Sequence, residues 1–557
     1  LLKGIKTMSF MNADIKHCWG DLDDLKLYGD GAAVLAPVHI PEIYVPKVEG
    51  IDGDFMRGTD VSSFLSIYNS GATFYDFEGN ALDQQGFFDL LAESGYNYVR
   101  LRLWNDPFDA EGNGYGGGNC DINAVLAMGQ WATKAGLRVL VDFHYSDFWA
   151  DPGKQKTPKA WAGMTIDEKT AALQTFTYDC LKTLLDGGVD VGMVQIGNET
   201  TGSICGESNW TNKAKLFSAG SAATRQISEE YEHPILVSIH FTNPERSGNY
   251  ASQARNLNNY GVDYDIFASS WYPFWHGTLE NLTTVLKDVA DTYGKQVVVT
   301  ETSWAYTLAD GDGHDNTVRT GNNDGNYGFE FSVQGQADEL VAVTEAVKNV
   351  GEAGMGVFYW ENAWIPVEYA YDEEGNLVED ILTSNKAKWE EFGSGWAASY
   401  ASEYDPNDAG VWFGGSACDN QAQFDFNGHP LDSLMTWSYM LSGAADTIEL
   451  EVLDIEEPAL VYAIGDTLAM PETVNVTYNV GGTEKVAVVW NEEAVAKVDM
   501  NTPGVYRVKG VVTTECGDFD VVCKITVNYP NLLKNPGFEE SDMSMYTLNG
   551  MRRRTDN

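Results

Sequence analysis

Val191-Gly192-Met193-Val194-Gln195-Ile196-Gly197-Asn198-Glu199 is an apolar run that ends in an amide and a carboxylate. A short buried strand reads this way when its last residues face a site rather than a core. Seven more runs fit the same description: Phe55–Val61, Asn97–Trp104, Leu137–His144, Ile235–His240, Tyr264–Tyr272, Gln296–Glu301 and Met355–Trp360. Amphipathic stretches separate them, among them Asp121–Ala135, Ile166–Leu185, Leu279–Thr292 and Ala337–Glu352. Eight strand–helix units over ~400 residues predict an α/β fold, a (β/α)8 barrel with long loops. Seven of the runs end in polar or aromatic groups: Arg100 and Arg102, His144, Asn198 and Glu199, His240, Tyr272, Glu301, Trp360. In this fold the carboxyl ends of the strands carry the active site.

Composition narrows the function. The chain has 557 residues, 35 basic and 82 acidic, a net charge of −47. A basic patch able to hold nucleic acid is excluded by that field, and an anionic substrate is disfavoured. A neutral polysaccharide suits the balance. No apolar stretch is long enough for a transmembrane helix. The seven cysteines form no CxxC pair, which argues against a zinc site, although Cys516 and Cys523 are placed to face each other across a hairpin.

Two carboxylates stand out. Gln195-Ile196-Gly197-Asn198-Glu199 and Val299-Thr300-Glu301-Thr302-Ser303-Trp304 each set a Glu at the end of an apolar strand, the fourth and the seventh of the series. A lone strand-end Glu is ordinarily a surface ion pair. Two on opposite sides of an eight-strand ring face each other across its mouth, and glycoside hydrolysis needs such a pair. Arg100 and Arg102 share a strand face, and one of them is expected beside Glu301 to keep it ionised. Asn198 is expected on a sugar hydroxyl and Trp360 as an apolar floor. For Trp149, Trp275, Trp304, Trp364 and Trp412, core and sugar platform stand open alike. His144 and His240 are read as orienting sugar or acid, with a buried core role as the alternative.

Arg57-Gly58-Thr59-Asp60-Val61-Ser62, Tyr98-Val99-Arg100-Leu101-Arg102-Leu103-Trp104, Asp142 through Pro152, Trp271-Tyr272-Pro273-Phe274 and Phe358-Tyr359-Trp360-Glu361 occur in this order. Together with the two Glu motifs they resemble glycoside hydrolase family 53, the endo-β-1,4-galactanases, over residues ~52–445. The resemblance implies a retaining mechanism on β-1,4-galactan of pectin, with Glu199 as acid/base and Glu301 as nucleophile. It implies that Tyr272 donates to the nucleophile and that Asp151 and Lys154 contact distal sugars. Asp310-Gly311-Asp312-Gly313-His314-Asp315-Asn316 sets oxygen groups at alternate positions, which suits a hard cation. The resemblance completes this loop with Ser416-Ala417-Cys418-Asp419. It thus implies a structural Ca2+ held by Asp310, Asp312, His314 (through its carbonyl), Asn316, Ser416 and Asp419.

Three regimes flank or follow this region. Residues 446–529 alternate short Val- and Thr-rich strands, including Val474–Tyr478, Val486–Trp490, Val498-Asp499 and Pro503–Val508. They predict an all-β sandwich and resemble a bacterial immunoglobulin-like domain. Residues 1–47 and 530–557 resemble the end and the beginning of carbohydrate-binding β-sandwiches, too short to bury a core. The catalytic domain is set at 48–445. The chain starts at Leu1 and reads as an internal fragment. Secretion is expected, with attachment to a cell surface open. The competing readings are an endo-mannanase of the same clan and a catalytically inactive glycan-binding protein.

Overall fold

The computed structural model describes residues 43–443, 452–478, 483–514 and 516–529, plus the backbone of a hairpin, Leu25–Tyr28 with Ala32–Leu35. The C-terminal segment expected to begin a carbohydrate-binding module, and most of the N-terminal one, lie outside the described residues. The chain divides into two compact units, Leu1–Ile448 and Glu449–Asn557.

The first unit is a closed barrel of eight parallel strands: β1 Met56–Asp60, β2 Tyr98–Leu103, β3 Arg138–Phe143, β4 Val191–Ile196, β5 Leu236–Phe241, β6 Ile266–Ser270, β7 Gln296–Thr302 and β8 Gly354–Tyr359. All eight runs read from the sequence are strands, with ends moved by at most three residues. Such strands are buried on both faces, by the barrel interior and by the helices outside, so they read as nearly unbroken apolar runs. The helices start where side chains satisfy their first N–H groups. Asp83, Asp121, Thr278 and Ser332 each accept from the residue three along, and Thr165 with Glu168 forms a capping box. Each such cap stabilises by about 1 kcal/mol. The Ser332 cap explains why the helix Val333–Lys348, expected over Ala337–Glu352, starts four residues earlier. Ile43 and Val45 are buried in the barrel core, so this unit begins before residue 48.

Inside the barrel, Met56, Tyr98, Leu140, Met193, Ile266, Val298 and Phe358 form an apolar plug. Two residues on, the same inward positions become Gly58, Arg100, Asp142, Gln195 and Ala268, and charge replaces hydrocarbon. Strand β7 departs from this period. Its pairing shifts register against β6 between Ser269/Val299 and Ser270/Glu301, and against β8 between Val357/Val299 and Tyr359/Thr302. Counting by twos from Val298 would aim Thr300 inward and Glu301 outward. The extra residue in β7 reverses that and turns Glu301 into the mouth.

The second unit holds β9 Val452–Ile455, β10 Ala459–Ala463, β11 Thr473–Tyr478, β12 Thr483–Trp490, β13 Gly504–Thr514 and β14 Gly517–Asn528, in the order β9-β11-β12-β13-β14-β10. The first half of β12 pairs with β11 and its last three residues pair with β13, so one strand serves two sheets. Val474, Val476, Val488, Val512 and Val521 form one apolar cluster, and Val508, Cys523, Ile525 and Val527 another. Two expectations need correction. Val498-Asp499 is not a strand, because it follows a short helix, Glu492–Val495, capped by Asn491. Cys516 sits at the β13–β14 turn while Cys523 lies opposite Val508, so the two cysteines are not cross-strand partners.

Candidate active site

The site is assembled at strand ends by residues in unusual backbone conformations. Beyond Ile196, Gly197 (φ 84°) and Glu199 (φ 47°) are left-handed, as are Tyr145, Asn243 and Glu361 just past β3, β5 and β8. A non-glycine residue there costs of order 1–3 kcal/mol, and such strain collects at functional sites. A Cβ on Gly197 would sit 2.6 Å from Thr200 Cγ2, so the turn that presents Asn198 and Glu199 needs glycine.

Arg100 is the hub. Its Nη1 lies 2.8 Å from Asp60 Oδ2, and its Nη2 lies 2.8 Å from Asp142 Oδ2, from Asn198 Oδ1 and from Glu301 Oε1. Of the two arginines, this is the one on Glu301. Arg102 instead pairs with Glu361, donates to Ser63 Oγ at 3.1 Å and places its guanidinium 4.3 Å from the Trp149 ring centroid. Tyr272 Oη donates to Glu301 Oε2 at 3.1 Å.

Ser270 Oγ donates to Glu199 Oε1 at 2.7 Å and stands 3.4 Å from Glu301 Oε2. Laid end to end, those two spans fall short of the roughly 6.5–9.5 Å that inverting enzymes keep between carboxyl groups for a water. His240 sets the direction of this bridge. The Glu199 backbone N–H, which can only donate, reaches its Nδ1 at 3.2 Å, so Nε2 holds the proton and donates to Ser270 Oγ at 2.9 Å, while Asn198 Oδ1 and Gln195 Nε2 crowd the same Nδ1 at 2.9 and 3.1 Å. By the same logic His144 Nδ1 accepts from Trp104 Nε1 at 3.0 Å and from the Ala150 N–H at 3.1 Å, and Nε2–H donates to Asp142 at 2.9 Å. Burial holds both imidazoles below their ordinary pKa, hence neutral.

The two carboxyl groups are not equivalent. Burial, and next the charge of Glu301, push Glu199 up to about 8. Burial also raises Glu301, but Arg100 opposes it there, and Glu199 has no such cation. Of the pair, Glu199 therefore keeps the proton and Glu301 the charge. An acid and an ionised carboxylate across one mouth can protonate a leaving oxygen and attack the carbon it leaves.

The family model for glycosyl hydrolase family 53 matches residues 56–437. The chain belongs to this family. An endo-beta-1,4-galactanase of Bacillus subtilis (strain 168) is 53% identical over 421 residues, 74% of this chain and 94% of the relative. An arabinogalactan endo-beta-1,4-galactanase of Cellvibrio japonicus is 36% identical over 321 residues, 56% of this chain and 81% of the relative. Among solved structures, the family 53 catalytic domain of Ignisphaera aggregans superposes with a TM-score of 0.61 at 34% identity, covering 72% of this chain and 99% of that one. Residues 455–514 match the bacterial Ig-like domain, group 4.

In this family 53 chain the catalytic cavity encloses about 270 Å³. Arg100, Arg102, His144, Asp151, Lys154, Asn198, Glu199, Tyr272, Trp275, Glu301 and Trp360 line it, as do Trp149 and Trp364. Lys154 reaches Asp408 and lies 3.6 Å from Asp405, which fixes its loop at the cavity rim. Three expected residues stand elsewhere. His240 is fully buried behind the bridge and positions it. Trp304 is buried and stacks on Phe331 at 4.8 Å, so it is core. Trp412 does not line the cavity: a tight turn on Asp408 leaves it 68% exposed, and Trp396 occupies the wall instead. Sequence reasoning missed Asp60, Asp142, Gln195, Ser270, Glu361 and Trp396. Asp60, Asp142, Gln195 and Glu361 lie inside the quoted motifs, and Asp142 also stands two residues before His144 on the same strand face.

The acidic loop after β7 meets the loop carrying Ser416. One carboxylate oxygen each from Asp310, Asp312 and Asp419 lies within 4.8 Å of the others. Asn316 Nδ2 donates to Asp419 at 2.6 Å and the Ser416 N–H to Asp312 at 2.7 Å, while the His314 N–H donates to Asp312 at 2.8 Å. Asn316 Oδ1 is buried without a hydrogen-bond partner among the described residues. Burial and mutual repulsion push Asp312 up to about 8 and Asp419 well above its usual value. An all-oxygen donor set with surplus buried negative charge fits a hard dication.

Proposed function

We propose that this chain is a retaining endo-β-1,4-galactanase that cleaves the galactan side chains of pectin outside the cell. The observation that carries the chemistry is the Glu199–Ser270–Glu301 bridge, with Arg100 on Glu301 alone. Glu301 attacks the anomeric carbon as the bond from that carbon to the leaving oxygen breaks, and Glu199 gives that oxygen its proton. Glu199, now ionised, takes a proton from water. The hydroxide adds to the anomeric carbon and frees Glu301, with two inversions and net retention. Tyr272 and Arg100 hold the nucleophile's two oxygens, so attack needs little reorganisation. Asn198, held on Oδ1 by Arg100, keeps an Nδ2–H near the sugar, and its other N–H donates to Ala150 O at 2.8 Å. Trp360 offers a ring face to the pyranoses, backed by Trp149 and the buried Trp364 stacked on it.

The galactan specificity rests on the likeness to named galactanases. The cation site supports a Ca2+ held by Asp310, Asp312, Asn316 and Asp419, with Ser416 and the His314 carbonyl completing it. The ion would tie two loops together and takes no part in the chemistry.

Purified linear β-1,4-galactan, given to the native chain and to Glu199→Ala and Glu301→Ala, tests this reading. Short β-configured galacto-oligosaccharides from the native chain only are expected. Release from mannan but not galactan would move the chain within its clan. Binding of glycan without release from any would favour a non-enzymatic role.

A further inference from the structure

A second groove of about 520 Å³ lies on the far side of Phe274 and Trp275 from the catalytic cavity, and these two residues wall both. Its other lining comes from the start of the β6 loop, Trp271, Pro273 and Gly277, from Thr278 and Leu279 at the helix start, and from Asn326, Tyr327 and Phe329. The last three belong to the long loop after β7. Tyr327 and Phe329 brace it against the buried Trp304, at 6.1 and 5.8 Å between ring centroids. These ring contacts seat that wall of the groove on the buried core.

The chemistry of the lining points to a ligand rather than to an incidental hollow. It is aromatic rings with a few neutral polar groups, the Asn326 amide and the Thr278 hydroxyl, and no charged side chain. Ring faces with sparse neutral donors match a neutral sugar better than a peptide carboxylate or a phosphate. Trp275 is 52% exposed and edges onto Phe274 at 4.7 Å, so it stands as a partition with one side in each cavity.

We propose that this groove binds a segment of the β-1,4-galactan chain beyond the sugars being cleaved. The proposal rests on the galactanase reading of the catalytic cavity. A polymer held at both places gains effective concentration that a short oligosaccharide cannot. The groove would thus raise efficiency on long chains and leave chemistry on short ones unchanged.

The test compares Tyr327→Ala with the native chain on long galactan and on galactotetraose. It also compares Glu301→Gln with Glu301→Gln/Tyr327→Ala for retardation in galactan-containing native gels. A five- to tenfold loss of kcat/KM on polymer, a change under twofold on the tetraose and weaker retardation of the double variant are expected. Asn326→Ala serves as a second variant should Tyr327→Ala fold poorly, with a smaller loss in the same direction. Equal losses on both substrates, or unchanged polymer kinetics and retardation, would overturn the proposal. Native cleavage of galactan separates the two readings: if it is absent, the galactanase assignment itself fails, and the groove proposal falls with it.

Discussion

Replacing Glu301 by Gln removes one negative charge from the mouth and leaves its shape. Glu199 should answer by losing affinity for its proton. The magnitude follows from the Ser270 bridge, which keeps the nearest oxygens of the two groups about 6 Å apart or less. At an effective dielectric of about 20, two unit charges at about 6 Å repel by about 2.8 kcal/mol, or roughly 2 pKa units. Glu199, pushed up to about 8 by burial and by Glu301, should therefore titrate near 6 in Glu301→Gln, with burial sustaining what remains of the shift. The sign has a mechanistic meaning. Once Glu301 is esterified by sugar it is neutral, so Glu199 gives up its proton and stays ionised as the base for water, and the charge that returns to Glu301 as it is freed favours the proton's return to Glu199. The assay is carboxyl 13C NMR titration of Glu199 in both chains, with the alkaline limb of kcat/KM for the native enzyme expected near 8. A Glu199 that titrates within half a unit of native in Glu301→Gln would refute the electrostatic coupling.

Tyr272→Phe deletes the hydroxyl that donates to Glu301 Oε2 at 3.1 Å. A hydrogen bond to a charged group contributes about 1.5–3 kcal/mol, so kcat/KM on galactan should fall roughly 10- to 100-fold with the thermal midpoint little changed. Glu199→Ala should lose ~10²–10⁴-fold on galactan, the usual share of general acid catalysis, yet far less on aryl galactosides whose leaving groups need no proton. Steady-state rates on the two substrate types check this. Calcium at about 1,000 times its dissociation constant stabilises by about 4 kcal/mol. Chelation should therefore lower the melting midpoint of the barrel unit by several degrees, and Asp419→Asn should blunt that response. A midpoint indifferent to both would remove the metal from the account.

Most of the barrel was legible because parallel strands buried on both faces leave apolar runs, and because a barrel's chemistry sits at one end of every run. Both glutamates followed from their place at strand ends and from being a pair. Their phase did not follow for Glu301: by the two-residue period of β7 the inward residue is Thr300, and only the register shift against β6 and β8 turns Glu301 into the mouth. A bulge leaves no mark in composition, so that shift was not legible. Ser270 was invisible for another reason. A serine at a strand end is common, and its role depends on His240, thirty residues earlier in the chain, supplying a proton from behind. The tryptophans divide in the same way. Trp149, Trp360 and Trp364 line the cavity, Trp304 is core and Trp412 faces solvent, a partition decided by loops whose path no hydrophobic period encodes.

The site's charge explains why protonation falls where it does. Asp60, Asp142, Glu301 and Glu361 share two buried guanidinium groups, Arg100 and Arg102, and Arg102 is held by Glu361 and lies 3.6 Å from Asp60. Arg100 must then serve three carboxylates within 2.8 Å. Both imidazoles are neutral and add nothing. One more buried negative charge would have no counter-ion left, and uncompensated buried charge is met by protonation. Glu199 is the group reached by a hydroxyl and not by a cation, so the proton settles there. Burial, and next the Glu301 charge, with no cation to offset them, thus make Glu199 an acid at neutral pH, and the shortage of positive charge makes the mouth inhospitable to an anionic sugar.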